Sequence, residues 1–406
     1  MASPLPSGPA QAQRALPASG RALAPDLARG VMLLLIATVH AHMIWQMQSG
    51  TGAAATLPDT LATLAMVVFG EARGYPMFAA LFGYGLAGIL IRAQESGRDW
   101  APVRGLLRRR GRWLVVFGLA HTVLLFPGDI LAVYGAIALL LTPVLRFSGR
   151  RLLVHAAVWG VAGSLLYSVL YYVLLGSVGG SASGTAPPQD YFTDMAIRLV
   201  SWPVTVPLFL LTAVLPFLVG VWAGRRRLLD EPARHTGLLV KTALIGVAVG
   251  ALGGLPQALT AIGAWAEPPI AASLAMGWLH TLSGYAGGFG YAALIALAAV
   301  AIGGRRGLAT RALTACGQRS MTCYLLQSLA WLILFTPYTL DLAGALNGME
   351  AIGVGAAVWL ATVVVAELLS RSGRRGPTET ALRRLTYGPA DSARPAHDPP
   401  RGAGVA

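Results

Sequence analysis

Charge is scarce in this chain, and lysine is almost missing. Of its 406 residues only 12% are charged, about half the ~25% that a soluble domain carries. Too few charges remain to cover a soluble body of this size, which excludes a cytosolic enzyme. Lys241 is the only lysine, so the formal net charge of +14 rests on arginine. The arginines sit in short runs between long apolar stretches, without the basic face and interleaved aromatics of a nucleic-acid binder, so no nucleic-acid partner is expected. Cysteine is nearly absent too. Cys316 and Cys323 alone exclude a disulfide framework and a structural zinc site. Lying seven apart in one apolar pattern, they read as small core residues. No metal site is expected.

Apolar length is what the chain has: 55% of residues are hydrophobic, with a mean hydropathy of +0.61. Crossing ~30 Å of hydrocarbon takes ~20 mostly apolar residues. Ten segments meet that need: 30–48, 74–92, 112–127, 129–146, 152–175, 202–223, 238–262, 279–302, 318–336 and 350–370. Arginine-rich connections at 92–112, 146–151, 225–241, 303–319 and 371–384 alternate with acidic ones that carry Asp129, Asp190, Asp194, Glu267, Asp341 and Glu350. By the positive-inside rule the arginine side is cytosolic. The expectation is therefore an all-α, polytopic integral membrane protein of about ten transmembrane helices with both termini cytosolic. Segment 57–70 is apolar, but as a full span it would invert every later loop, so it reads as a short helix at or dipping into the outer side. Residues 1–28 read as a disordered cytoplasmic tail, 29–387 as the transmembrane domain, and 388–406 as a second disordered tail. Ala53-Ala54-Ala55 resembles a signal-peptidase site, but the apolar run before it is long for a signal peptide, and an uncleaved first helix is preferred. Reporters fused after Gly97, Arg226 and Arg374 should be cytosolic, and one within 181–186 external; an external signal at Arg226 would overturn the count.

Ionisable groups inside apolar helices are functional candidates by default. Arg29 and His40 are eleven residues apart, which places both on one helix face, ~16 Å apart along the axis. Asp26 is three residues before Arg29 and can pair with it. His42 points ~200° from His40, so His42→Ala is expected to do little. Glu71 and Arg73 open the second span, either as a local ion pair ending a helix or as part of a site. His121 lies in the third span. Asp129, in the tight turn that follows, is either a helix cap or one of the polar groups that converge on the face of Arg29 and His40. His155 and His280 lie near helix ends and read as interfacial. Gly83-Tyr84-Gly85-Leu86-Ala87-Gly88 matches a dinucleotide fingerprint, but without a βαβ unit it is a packing face. Gly246, Gly250 and Gly254 form a second such face.

These residues resemble a known family. Asp26-Leu27-Ala28-Arg29-Gly30, the run Arg73 to Gly85, His121 with Gly128-Asp129-Ile130-Leu131, and Cys316-Gly317-Gln318-Arg319-Ser320-Met321-Thr322-Cys323-Tyr324-Leu325-Leu326-Gln327-Ser328 are similar to the motifs of the YeiB-like membrane proteins, described as domain of unknown function 418. Gly376-Pro377 and Leu385-Thr386-Tyr387 match the closing motif of that family. Gln318 departs from its usual Arg, and Cys323 from a frequent Asn. The resemblance implies a relation to the acyltransferase-3 and heparan-α-glucosaminide N-acetyltransferase families, whose first helix carries the Arg–ten residues–His spacing of Arg29 and His40. It thereby implies a membrane-embedded acyltransferase in the bacterial plasma membrane, among membrane lipids. Acyl-CoA would be a co-substrate rather than a tightly bound cofactor. Its phosphates would meet Arg29, Arg73 and some of Arg108, Arg109, Arg110 and Arg112. His40 would act as general base, with His121 or Asp129 orienting it, on a glycan or lipid-linked acceptor. Asp26, Glu71, Gly83, Gly85, Gly317, Thr322, Tyr324 and Gln327 would be motif residues of structural weight. A homo-oligomer stays open. A transporter fits the same composition, though no internal repeat is seen; so does a non-catalytic membrane organiser.

Overall fold

Each expected apolar segment becomes helix in the computed structural model, which describes residues 22–49, 56–176, 189–305 and 307–388. No strand occurs among the described residues. The helices are α1 (Leu23–Ser49), α2 (Leu57–Ala65), α3 (Gly74–Glu95), α4 (Trp100–Leu124), α5 (Leu131–Leu140), α6 (Gly149–Tyr171), α7 (Tyr191–Arg225), α8 (Thr236–Ala261), α9 (Ile270–Ile302), α10 (Leu308–Gln318), α11 (Ser320–Phe335), α12 (Gly348–Arg371) and α13 (Pro377–Tyr387).

Seven stretches of the described residues are long and apolar enough to cross a bilayer: Leu23–Gln48, Leu57–Glu95, Gly149–Leu174, Tyr191–Arg225, Pro232–Ala261, Ile270–Ile302 and Gly348–Arg371. The other three expected spans fall short. α4 carries arginines from Arg104 to Arg112. α5 and α11 have 10 and 16 residues, about 15 and 24 Å at 1.5 Å per residue.

Helix ends depart from the sequence reading where a capping residue acts earlier than the apolar period. α1 begins at Leu23, inside the expected tail. Asp190 caps α7 by accepting the Thr193 N–H at 2.9 Å, so residues 191–201 are helix rather than loop. Pro269 precedes the first turn of α9, which therefore starts nine residues before the expected 279 and carries His280 into the helix interior. The apolar pattern around the two cysteines is interrupted at Arg319, between α10 and α11. Both cysteines are free and buried, as expected. Segment 57–70 is a short helix closed by a π-helical turn, Met66–Gly70. Most of the expected tails, the Ala53–Ala55 site and residues 177–188 lie outside the described residues.

Cross-contacts join the arginine-bearing connections at one end of the bundle. Arg227 pairs with Glu95 at 2.7 Å, Arg225 donates to the carbonyls of Leu145 and Phe147, Arg109 donates to the Thr386 carbonyl, and Arg311 and Arg371 both meet Glu367. The acidic connections meet at the other end. The Gly348 N–H donates to Asp59 at 2.7 Å, and the Tyr191 hydroxyl to the Leu124 carbonyl. The Tyr338 hydroxyl donates to Asp194 at 2.7 Å; burial beside that carboxylate pushes the Tyr338 phenol up to about 12. The same alternation that was read from charge along the chain thus holds in space.

Glycines set how closely the helices approach. A Cβ at Gly83 would lie 2.3 Å from the Phe217 carbonyl oxygen, where α3 crosses α7. Gly246 and Gly250 bring α8 against α9 at Gly290 and Gly287. Both glycine series are packing faces, as the sequence implied.

Candidate functional site

At the arginine-rich end, α1, α3, α4 and α11 enclose a cavity of about 340 Å³. Its cationic lining is Arg29, Arg92 and Arg110; its apolar lining includes Phe78, Phe82 and Leu114. Asp26 organises the entrance. One of its oxygens accepts from Arg29 Nη1 at 3.1 Å and the other from Gln318 Nε2 at 3.0 Å. The expected Asp26–Arg29 pair therefore forms, and a third motif residue joins it. Gln318 thus places a donor on Asp26. Arg319 turns elsewhere and donates to the Arg374 and Ala315 carbonyls.

α13 closes one wall. Glu379 Oε1 accepts the N–H groups of Met321 and Thr322 at 2.9 and 3.0 Å, capping α11 as a carboxylate at a helix start does. Thr322 also bonds to Glu379 through its hydroxyl, which gives that motif residue its structural role. A second cavity of about 610 Å³ adjoins the first, shares Ile89 and Arg92 with it, and adds Arg98, Arg109 and Tyr387.

The floor of the inner cavity is formed by Ile130, Leu131 and Tyr324. The Tyr324 hydroxyl donates to the Gly128 carbonyl at 2.6 Å, and its ring lies 5.0 Å from that of His121. Asp129 caps the helix, and the histidine it meets is His121 rather than His40. It accepts the N–H groups of Leu131 and Ala132, capping α5, and it accepts from His121 Nδ1 at 2.9 Å. His121 Nε2 lies 2.8 Å from Ser328 Oγ on α11.

His40 does not line the cavity that holds Arg29. Its ring packs 4.8 Å from Phe126, and its Nδ1 is buried without a partner. Phe126 in turn belongs to one buried cluster with Trp331 of α11. His42 faces another direction, toward Thr63 and Trp45, as the helical angle requires.

Arg73 is remote from the cavity as well. At 1% exposure its guanidinium donates to the carbonyls of Glu71 and Gly250 and contacts His280. Ala72, at φ 57, makes the left-handed turn that sends Arg73 inward instead of leaving it at a helix end. Arg108, Arg109 and Arg112 are exposed on α4, and of the arginine run it is Arg110 that enters the inner cavity.

Sequence reading passed over Arg92, Glu379 and Ser328 as site residues. Ser328 had a usable signal: it follows Tyr324 by four residues, hence on the same helix face. No group of three or more metal-ligating side chains occurs among the described residues.

The fold and these sites define a multi-pass α-helical membrane protein. Residues 223–389 match the profile of a family described as protein of unknown function (DUF418). The chain is 25% identical over 337 residues to the uncharacterized protein YxaH of Bacillus subtilis (strain 168), covering 77% of this chain and 78% of that protein. It is 27% identical over 392 residues to the uncharacterized protein YeiB of Escherichia coli (strain K12), covering 89% and 95%. An uncharacterized 39.9 kDa protein of Bacillus acidopullulyticus is 32% identical over 136 residues, 32% of this chain and 37% of that protein. The chain is thus similar to the DUF418 family over residues 223–389 and to YxaH and YeiB over most of its length.

Proposed function

We propose that the protein is a plasma-membrane acyltransferase that takes an acyl thioester from the cytosol and delivers the acyl group to an acceptor on the outer side. The reading rests on the inner cavity, cationic at its rim and apolar at its floor, which continues through Arg92 into a second arginine-bearing cavity. An acyl-CoA is an elongated anion with an apolar end and would match that gradient. Its phosphates would meet Arg98 and Arg109 outside and Arg92, Arg110 and Arg29 further in, since guanidinium suits bidentate phosphate binding. The acyl end would rest on Phe78, Phe82 and Leu114. His40, with a nitrogen free of protein partners, would accept the proton of an acceptor hydroxyl or amine, the role of a general base.

The test uses purified full-length protein in detergent, with palmitoyl-CoA as probe. Saturable binding and release or transfer of the acyl group are expected. Arg110→Gln should weaken binding about tenfold, the scale of one lost charge-assisted bond. Arg29→Lys should raise KM more than it lowers kcat, because the charge stays and the fork is lost. Arg151→Gln, an exposed site on α6, should change neither. A protein that neither binds palmitoyl-CoA nor turns it over, folded and monodisperse, would sink the proposal.

A further inference from the structure

One turn beyond the cavity floor, a serine, a histidine and an aspartate stand in series, each drawn from a different helix or turn. Ser328 Oγ is 2.8 Å from His121 Nε2, and His121 Nδ1 is 2.9 Å from Asp129 Oδ1. All three side chains are buried. A carboxylate only accepts, so Nδ1 carries the imidazole proton toward Asp129 and Nε2 turns its lone pair to Ser328. The serine hydroxyl has one alternative acceptor, the Tyr324 carbonyl at 3.2 Å. It donates to Nε2 when His121 is neutral and can swing to that carbonyl when His121 holds a second proton. Both imidazole nitrogens are taken in the resting site, so His121 can act only on a substrate held at Ser328 Oγ.

The surroundings point to a ligand rather than to a finished core. Buried polar atoms normally find partners, and those that do not call for an explanation. Thr122 Oγ1, Gln327 Oε1 and Trp331 Nε1, close to the array in sequence, are buried and unpartnered, as is His40 Nδ1 on α1. Thr122 is the neighbour of His121. Gln327 adjoins Ser328, and Trp331 follows it by three residues, on the same side of α11. The indole N–H of Trp331, 1% exposed, is a donor with nothing to receive it, which is what the oxygen of a reacting carbonyl would need.

We propose that Ser328 is a nucleophile activated by His121 and Asp129, and that the acyl group passes through an ester on Ser328. The inference rests on the acyltransferase reading for its donor, and the arrangement follows the general logic of nucleophile, base and orienting carboxylate. In the first half, Ser328 Oγ attacks the thioester carbonyl carbon. The Oγ–C bond forms and the C–S bond breaks, while the hydroxyl proton moves to His121 Nε2 and then to the departing thiolate, giving free thiol. In the second half, the acceptor oxygen attacks the ester carbon and the Oγ–C bond breaks. The acceptor's proton passes by way of His40 to Ser328 Oγ. Ser328 thereby links a donor that arrives through the arginine-rich cavity to an acceptor on the His40 side, and neither substrate has to cross the bilayer.

Diisopropyl fluorophosphate tests the serine without any acyl donor, because its P–F bond breaks as Oγ–P forms on an activated hydroxyl. Full-length protein in detergent is expected to gain the phosphoryl group on Ser328, located by mass spectrometry of its peptides. Labelling should be lost in Ser328→Ala, fall at least tenfold in His121→Gln and Asp129→Asn, and persist in Arg151→Gln, an exposed position on α6. Folded wild-type protein unlabelled at Ser328, or equal labelling in His121→Gln, overturns the proposal. Should the His121 variant not survive purification, Ser328→Cys supplies the second measurement. Paired with His121, its thiol should react with iodoacetamide at about pH 6, where an ordinary thiol is hardly ionised; no reaction there overturns the proposal as well. With palmitoyl-CoA, His40→Ala should accumulate the Ser328 ester. Labelling by the fluorophosphate without any acyl adduct would keep the activated serine and refute the acyltransferase reading. Acyl transfer with an inert Ser328 would do the reverse.

Discussion

A chain carrying Asp129→Ala is expected to lose the turn between α4 and α5. Asp129 is buried and accepts three donors: the N–H groups of Leu131 and Ala132 at 3.1 and 2.6 Å, and His121 Nδ1 at 2.9 Å. Alanine leaves all three away from water, at about 1–3 kcal/mol each. The sum is on the order of several kcal/mol, a large part of the 5–15 kcal/mol that typically holds a domain together. Asp129→Asn keeps the shape and one acceptor oxygen but turns a donor toward donors, so its loss should be intermediate. Ser328→Ala removes one hydrogen-bond partner of His121 and should cost least. Thermal unfolding in detergent, followed by tryptophan fluorescence, should rank the midpoints in that order. An Asp129→Ala protein as stable as wild type would show that other contacts hold the turn.

The ranking matters because it separates stability from chemistry at one site. Asp129 serves both the α5 cap and the histidine, whereas Ser328 serves only the histidine. A variant that is nearly as stable as wild type but inert toward the fluorophosphate is therefore expected at Ser328, not at Asp129.

Much of this architecture was legible in the sequence because a bilayer leaves few options. Backbone polar groups must be satisfied within helices, so apolar length and arginine alternation were enough to give an all-α bundle with two chemically distinct ends. The Asp26–Arg29 pair followed from a spacing of three, and the opposed directions of His40 and His42 from a rotation of 200°. What was not legible depended on contacts between distant segments. Gln318 meets Asp26 across 292 positions, and His121 meets Ser328 across 207. No local period encodes either. Arg73 was misplaced for a different reason. One left-handed residue, Ala72, turns its side chain into the core, and alanine at that position does not announce a left-handed turn as glycine would. The helical position of Arg29 and His40 was read correctly, yet sharing a face did not mean sharing a cavity, because ~16 Å of helix separates them. The polar groups beyond the cavity floor come from α4, the turn before α5 and α11 instead.

Gly317 is where those motifs are locked together, and its substitution should have the largest effect on assembly. α10 crosses α1 there, so closely that a Cβ on Gly317 would lie 1.8 Å from the Asp26 carbonyl oxygen and 3.1 Å from the Gly30 nitrogen. The approach is mutual, since a Cβ on Gly30 would fall 2.2 Å from the Leu313 carbonyl oxygen. Both clashes are with backbone, which no side-chain rotation relieves. To reach an ordinary carbon–oxygen contact of about 3.4 Å the helices would have to part by roughly 1.6 Å. That displacement is enough to break the Gln318–Asp26 hydrogen bond and to open the wall between Arg29 and Gln318. Overpacking of this kind costs about 1–3 kcal/mol where neighbours can shift, and here rigid helices must shift. Gly317→Ala should lower the unfolding midpoint and weaken palmitoyl-CoA binding together, and Gly317→Val should abolish recovery of monodisperse protein. Gly353 in α12 is the control: a Cβ there meets nothing within 4 Å. Gly353→Ala should therefore be neutral or stabilise by up to about 1 kcal/mol through helix propensity. Equal loss from both alanine variants would mean that glycine is needed for something other than this crossing, and a stable Gly317→Val protein that still binds palmitoyl-CoA would refute the close approach itself.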